Sequence, residues 1–174
     1  LPGQSQNLFY VRLDNWGPGT AYPGNGPNPL PPQLAWRDVT GLRNSTIPTH
    51  QTAAFETGMT IYPAGATSER PFSERVRVCH RDFFEMFRLP FAFGSPWEKE
   101  FDETAQQVAV LSAPLNDRLF GGGNSVGRSF RMHDREFRVV GVLKPWAPTV
   151  KYYDFLGDAL ELPDAAFIPM RLVI

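Results

Sequence analysis

Ten of the 17 residues from Trp16 to Pro32, WGPGTAYPGNGPNPLPP, are glycine or proline. Proline locks φ and removes a backbone donor, and glycine loses the most freedom on ordering, so no helix or strand survives that density. The stretch reads as a long exposed loop. Whatever this chain folds into must accommodate it near the start, after a single strand-like segment, LFYVRLD, from Leu8 to Asp14. The rest of the chain has to supply the core.

Beyond the loop the pattern becomes regular. QLAWRDVTGLRN places Ala35, Val39 and Leu42 at helical spacing, with prolines just before it. HQTAAFETGMTIYP and SERVRVCH read as two strands, the second with Val76 and Val78 on one face. RDFFEMFRLP reads as a short helix: Asp82 is placed to cap it, Phe83 and Phe87 meet one turn apart, and Pro90 stops it. QVAVLS, Gln107 to Ser112, is a continuous apolar run of strand length, the kind buried on both faces. Ser112 then caps a helix in which Leu115 and Leu119 follow Leu111 at intervals of four, and Gly121 falls at its C-cap. GRSFRM, an HD turn and REFRVVGVL form a β-hairpin by pattern, and AAFIPM a closing strand after a second long loop. Helices and strands alternate without a strict βαβ repeat. The fold class is α+β, with short helices on mixed or antiparallel sheets.

Composition excludes several functions. The 174 residues are 42% hydrophobic and 20% charged, a globular balance and not a disordered one. With 17 basic and 18 acidic residues interspersed, there is no basic surplus for nucleic acid. Cys79 is the only cysteine, so no internal disulfide forms. No apolar run approaches the ~18 residues of a membrane span, and no signal-peptide pattern is present. The start at LPGQSQ without methionine and the end at FIPMRLVI both read as cuts, as expected of a piece of something longer.

Several motifs look like chemistry and are better explained as structure. GGNSVGRS, Gly122 to Ser129, matches the phosphate-binding G-x-x-x-x-G-K-[ST] except for Arg128 in place of lysine. A phosphate loop needs a strand feeding glycines into a helix N-terminus; here a helix leads in and a hairpin leads out, so the stretch is a turn. CHRD, Cys79 to Asp82, spells the start of a kinase catalytic loop, but Phe87 stands where the metal-binding asparagine belongs. Cys79 and His80, neighbours on a strand, point to opposite faces and cannot share a proton. His50, His80 and His133 lack metal-ligand spacing, and Ser112 lacks the glycines of a nucleophile elbow. Asn44 opens an N-x-[ST] sequon, meaningful only in a host that glycosylates. PWEKEFDE, Pro96 to Glu103, and KYYDFLGD, Lys151 to Asp158, combine acids with aromatics, which a glycan hydrolase requires. Charged loops anchored by aromatics explain them better. No catalytic residue, cofactor site or metal site is assigned.

One ordered set of motifs is more specific. VRVCHRDFFEMFRLPFAFGSPW is followed by QVAVLSAPLNDRLFGGGNSVGRSFRMHDREFRVVGVL and then by AAFIPM. The strand into D-F-F, the apolar strand ending in Ser112, the helix ending Leu119–Phe120, the glycines, and the strand pair ending Val139–Val140–Gly141–Val142 come in that order. Together they resemble the MacB-like periplasmic core domain of ABC transporter permeases, from about Val76 to Leu143 and more weakly from Leu34 to Met170. The resemblance implies an extracytoplasmic, non-catalytic domain between the first two membrane helices of a permease in the cell inner membrane. Its implied partners are its own transmembrane domain, a second permease copy, a cytoplasmic ABC ATPase and a periplasmic adaptor protein. It also implies two lobes. Residues 1–65, with the loop 16–32, would form the first βαβ arm of a membrane-proximal lobe. Residues 66–174 would form an inserted mixed α/β lobe with helices 82–89 and 113–120 and the hairpin 127–143. The chain ends where the family usually continues into a second arm, and the loop 16–32 has no counterpart in the pattern.

Within that reading, Phe83, Phe84 and Phe87 are scaffold, and Gly127 and Gly141 permit close approach or a bulge. Trp146, Tyr152 and Tyr153, on the second long loop, are the expected aromatic anchors for a partner. The competing reading is an extracytoplasmic ligand-binding module that uses the same aromatic loops, which would need a concave pocket with convergent polar groups.

Overall fold

The computed structural model describes residues 7–11, 34–63, 70–146, 153 and 163–174. The helices are α1 (Trp36–Arg43), α2 (Asp82–Met86), α3 (Phe101–Thr104) and α4 (Ala113–Phe120). The strands are β1 (Ala54–Tyr62), β2 (Phe72–Cys79), β3 (Phe91–Gly94), β4 (Val108–Leu111), β5 (Ser129–Met132), β6 (Arg135–Leu143) and β7 (Ala166–Pro169). A 3-10 helix, Met170–Leu172, closes the chain. Short helices on a mixed sheet make this an α+β fold, as the pattern predicts.

Two compact units divide between Ile47 and Pro48. In the first, α1 begins after Ala35, whose N–H donates to the Asp38 carboxylate at 2.9 Å. No α1 residue is buried. The strand expected over Leu8 to Asp14 does not form in its described part: residues 8–11 are irregular, and Phe9 is 81% exposed. A strand needs a partner ladder, and none pairs with this segment among the described residues. The loop 16–32 lies outside them.

In the second unit the strands run β3-β6-β4-β7-β2-β1-β5, and β5 pairs back onto β6. Six strands therefore form a closed ring, with β3 added to the upper half of β6. β2 with β7 and β4 with β6 are parallel; the other pairs are antiparallel. β1 belongs to this ring, in eight-residue register with β2 from Ala54↔Cys79 to Ile61↔Phe72. The strand read at 50–63 thus sits in the sheet of the second unit, not with the segment before it.

The pleat sorts side chains between two layers. Val76 and Val78 share a face with their partners Ala166 and Ile168, and join Ile61 and Met132 inside the ring. Arg77 shares the outer face with its partner Phe167. Both faces of β4 are buried, which is why its sequence is continuously apolar. That second, outer core is aromatic. α2 lies on it, with the Phe83 ring 4.6 Å from Phe87 and 5.8 Å from Phe167. Phe84 sits edge-on to Trp97 at 4.9 Å.

Local signals account for α4 in full. Ser112 Oγ accepts the Leu115 N–H at 3.3 Å, and Gly121 ends the helix at φ 76°. The following glycine loop is held by Asn116, whose Nδ2 donates to the Gly123 carbonyl at 3.0 Å and whose Oδ1 accepts the Ser125 hydroxyl. Gly141 lies where the β4–β6 register shifts. A Cβ there would come within 2.6 Å of Phe91 Cε1 and 2.8 Å of the Ser95 carbonyl oxygen, so only glycine lets β3 approach.

Two elements escape the sequence pattern. β3 and α3 are four residues each, too short for a period to register. α2 is also shorter than the 82–89 expected, because Arg88 turns to φ 49° and breaks it. Asp82 does not cap α2 either. It is the first helical residue, and its Oδ2 accepts the Gln51 N–H at 3.2 Å.

Candidate functional site

β1 starts and β7 ends at the same end of the ring, because the two strands flank β2 in opposite directions. The segment that leads into β1, residues 48–53, and the segment that follows β7, residues 170–174, therefore adjoin the same end. Side chains fix both connections there. The Ala53 N–H donates to His80 Nδ1 at 3.1 Å, and the His80 N–H donates to Thr52 Oγ1 at 3.3 Å. An accepting Nδ1 makes His80 a neutral imidazole protonated at Nε2, buried to 1% exposure. His50 Nδ1 stands 3.5 Å from a Glu85 carboxylate oxygen and 3.7 Å from one of Asp82. On the outgoing side, α3 packs against the closing 3-10 helix, and Arg135 Nη1 donates to the Leu172 carbonyl at 3.1 Å.

Behind this joint lies a buried carboxylate. Both Asp102 oxygens accept the Arg81 N–H, at 3.0 and 3.1 Å, and Oδ1 also accepts Trp97 Nε1–H at 2.9 Å. The residue is 5% exposed. Asp102, from α3, does at the start of α2 what Asp82 was expected to do. Arg81 adds Nε–H to the Trp97 carbonyl at 2.9 Å and an ion pair with Glu85. Asp102→Ala leaves two buried donors without their acceptor. It is expected to lower stability by about 2–3 kcal/mol, readable as a lower chemical-denaturation midpoint with an unchanged slope.

One guanidinium ties the outer layer together. Arg77, 2% exposed, donates Nε–H to Asp164 Oδ2 at 3.0 Å and Nη2–H to Asp164 Oδ1 at 3.1 Å. Nη2 also donates to Glu56 at 3.2 Å, and the guanidinium lies 5.2 Å from the Tyr153 ring centre. β1, β2, the lead-in to β7 and the second long loop thus meet at one side chain. Neither sequence periodicity nor any motif marks Arg77; an arginine alternating with Val76 and Val78 reads as a solvated strand face.

The expected aromatic anchors divide. Tyr153 is 8% exposed, with Phe83 at 5.4 Å and Phe87 at 5.6 Å from its ring. Its ring belongs to the core and offers no face to a partner. Trp146, half-buried, stacks on Tyr153 at 5.4 Å. Tyr152 lies outside the described residues, as do Asp154 and Asp158. Of the acids near aromatics, Asp102 is saturated by donors, which removes it as a general acid or base. Cys79 is buried, and loss of hydration there raises its thiol pKa well above the usual value. Asp102 and Asp164 reinforce that shift, and Arg77 opposes it. Native protein is expected to resist iodoacetamide at Cys79, with alkylation appearing only on unfolding; rapid native labelling followed by mass spectrometry would contradict this burial.

Among the described residues, the two best-formed hollows measure about 300 and 320 Å3 and both open to solvent. The larger lies at the joint end, between Met59, the His133–Arg135 turn and Val173. No cluster of His, Cys, Asp and Glu able to hold a metal ion occurs among those residues.

The ordered motifs and the mixed sheet agree with one family whose model, MacB-like periplasmic core domain, matches residues 2–173. The chain belongs to that family. Over 62 residues it is 36% identical to the Pyoverdine export ATP-binding/permease protein PvdT of Pseudomonas aeruginosa, a match covering 36% of this chain and 9% of the relative. Over 63 residues it is 36% identical to the Macrolide export ATP-binding/permease protein MacB of Syntrophobacter fumaroxidans, with the same coverage. The chain thus corresponds to a small part of these relatives.

Solved structures show the same fold. The periplasmic region of MacB from Actinobacillus actinomycetemcomitans superposes with a TM-score of 0.58 at 17% identity, covering 81% of this chain and 57% of that one. The extracellular domain of the noncanonic ABC-type transporter YknZ from Gram-positive bacteria gives 0.59 at 15% identity, covering 80% and 64%. The family is a non-catalytic periplasmic domain of ABC transporter permeases, with the ATPase a separate domain of the full-length relative. No helix among the described residues is long and apolar enough to cross a membrane.

Proposed function

We propose that this MacB-like domain transmits the motion of an ATP-driven permease to the periplasmic side, as a rigid body moved through its two chain connections. It stands outside the cell inner membrane, carried by the transmembrane domain of its own chain. That chain works with a second permease copy, a cytoplasmic ABC ATPase and a periplasmic adaptor protein. The carrying observation is the joint: both connections of the second unit leave one end of a closed ring, and both are bonded to it. A closed ring has few soft modes, because every strand but β3 is held on two sides, so displacement at residues 48–53 moves the whole ring. Export in the names of both curated relatives supports a transport role.

The test uses the full-length permease with its ATPase in lipid nanodiscs. Spin labels on Glu136→Cys, an exposed hairpin position, report the distance between the second units of two copies. Addition of ATP is expected to shift that distance distribution, and a flexible Gly-Ser-Gly insertion between Thr49 and His50 to abolish the shift while ATP hydrolysis continues. An unchanged distribution through the ATP cycle would sink the transmission reading.

A further inference from the structure

On the outer face of the β5–β6 hairpin stand Arg131 and Arg138, and Arg128 lies just before β5; among the described residues none of the three is within ion-pair distance of an acid. Arg131 stacks on Tyr62, its guanidinium carbon 3.9 Å from the ring centre, and Arg128 stacks on Phe120 at 4.3 Å. Arg138 lies on the same strand face as Arg131, two residues along from its cross-strand partner, since Arg131 pairs with Glu136 and Ser129 with Arg138. All three are exposed, and among the described residues none forms an ion pair or a side-chain hydrogen bond. Strand β2 and helix α4 behave differently. Arg75 and Arg77 pair with Glu56, and Arg118 with Glu74. In a chain with more acids than bases, the hairpin stands out as a site left open.

Stacking matters to what these groups can do. A guanidinium resting on a ring keeps its edge N–H donors pointing outward and has already lost much of its rotamer freedom. Such an arginine binds carboxylate in a bidentate fork with less ordering cost than a free one. The strands hold Arg131 and Arg138 at diagonal cross-strand spacing, roughly 7–8 Å. Alternate carboxylates on an extended peptide, about 6.5–7 Å apart, match that span.

We infer that this hairpin face is a docking surface for an acidic segment of a partner protein. The mixed charge of the hairpin favours a discrete segment over an anionic membrane. Asp134, 81% exposed, and Glu136 sit among the arginines and would be repelled by a uniformly negative surface. Val126, 40% exposed, lies two residues before Arg128 and adds apolar area at the rim. The inference rests on the proposed function only for its place outside the membrane. Its test reads binding and not coupling, so either can fail alone.

The probe is a fluorescein-labelled twelve-residue peptide alternating glutamate and alanine, titrated with the full chain and followed by anisotropy. Binding is expected, weakening steeply between 50 and 300 mM salt on the order expected for screened charges. The triple variant R128Q/R131Q/R138Q is expected to lose about tenfold in affinity, equivalent to about 1.4 kcal/mol. The control R37Q/R171Q, also on exposed arginines, should bind as wild type, and all three proteins should melt alike. Absence of binding, equal binding by the triple variant, or equal loss in the control would overturn the surface. Capture on phosphatidylglycerol vesicles without peptide binding would overturn the occupant and make it a lipid.

Discussion

Replacing Arg77 by alanine is expected to lower the stability of the second unit by about 3–5 kcal/mol, the usual result of removing one partner from a buried ion pair. The substitution takes from the Asp164 carboxylate, whose side chain is fully buried, its bidentate partner, and from Glu56 one hydrogen bond. Thermal melting should fall by roughly 6–20 °C for a chain of this size. The effect has a diagnostic signature. Arg77→Ala/Asp164→Ala removes both charges and should recover part of the loss, because a buried carboxylate deprived of its counter-charge costs more than a small cavity. A double variant no better than the single would mean that the guanidinium matters chiefly as packing against Tyr153. In the full-length permease the single variant should also loosen the lead-in to β7, because Asp164 lies two residues before that strand.

A loss of comparable size is expected for Phe83→Ala, about 3–5 kcal/mol. Phe83 is fully buried, and its ring meets Phe84, Phe87, Tyr153 and Phe167. α2 is five residues long, too short to persist by its own hydrogen bonds, so this ring attaches it to the sheet. Asp82 and Glu85, which face His50, would lose their fixed position with the helix. The outcome is a lower denaturation midpoint together with faster amide exchange at residues 82–87. A variant that melts like wild type would show that α2 is held by the polar joint and not by the aromatic layer. Phe83→Leu, which keeps most of the apolar volume, should recover more than half of the loss.

Much of this architecture could be read before any coordinates. The capped helix from Ala113 to Phe120, the hairpin around His133–Asp134 and the buried run Val108–Leu111 are local statements. Caps, turn residues and periodicity act over three or four neighbours, and such signals survive in a sequence. The family motifs survive for the same reason. By contrast, Leu8–Val11 has every local mark of a strand and is not one, since a strand exists only where a second one pairs with it.

The candidate site was less legible. Trp146 and Tyr153 stand out in the sequence as aromatics between two regular segments, but whether a ring faces solvent depends on what lies across from it, and Tyr153 lies against α2. Asp102 looks like one of several loop acids until Arg81 and Trp97 arrive from other segments. The open arginines of the hairpin read as one polar face of an amphipathic strand. Only the positions of Tyr62 and Phe120, 58 residues apart in the chain and joined to the hairpin by the fold, distinguish them from ordinary solvated charges.

By itself, then, the sequence determined the fold class, the longer elements from α1 onward and the family, because these depend on interactions among near neighbours and on a motif order that any member must keep. Tertiary structure decided that the strands close into a ring, that β1 starts and β7 ends at one end of it, and that one guanidinium binds four segments. Those features depend on which strand edges and which charges meet across the fold, and a one-dimensional pattern carries each partner without saying which other it meets.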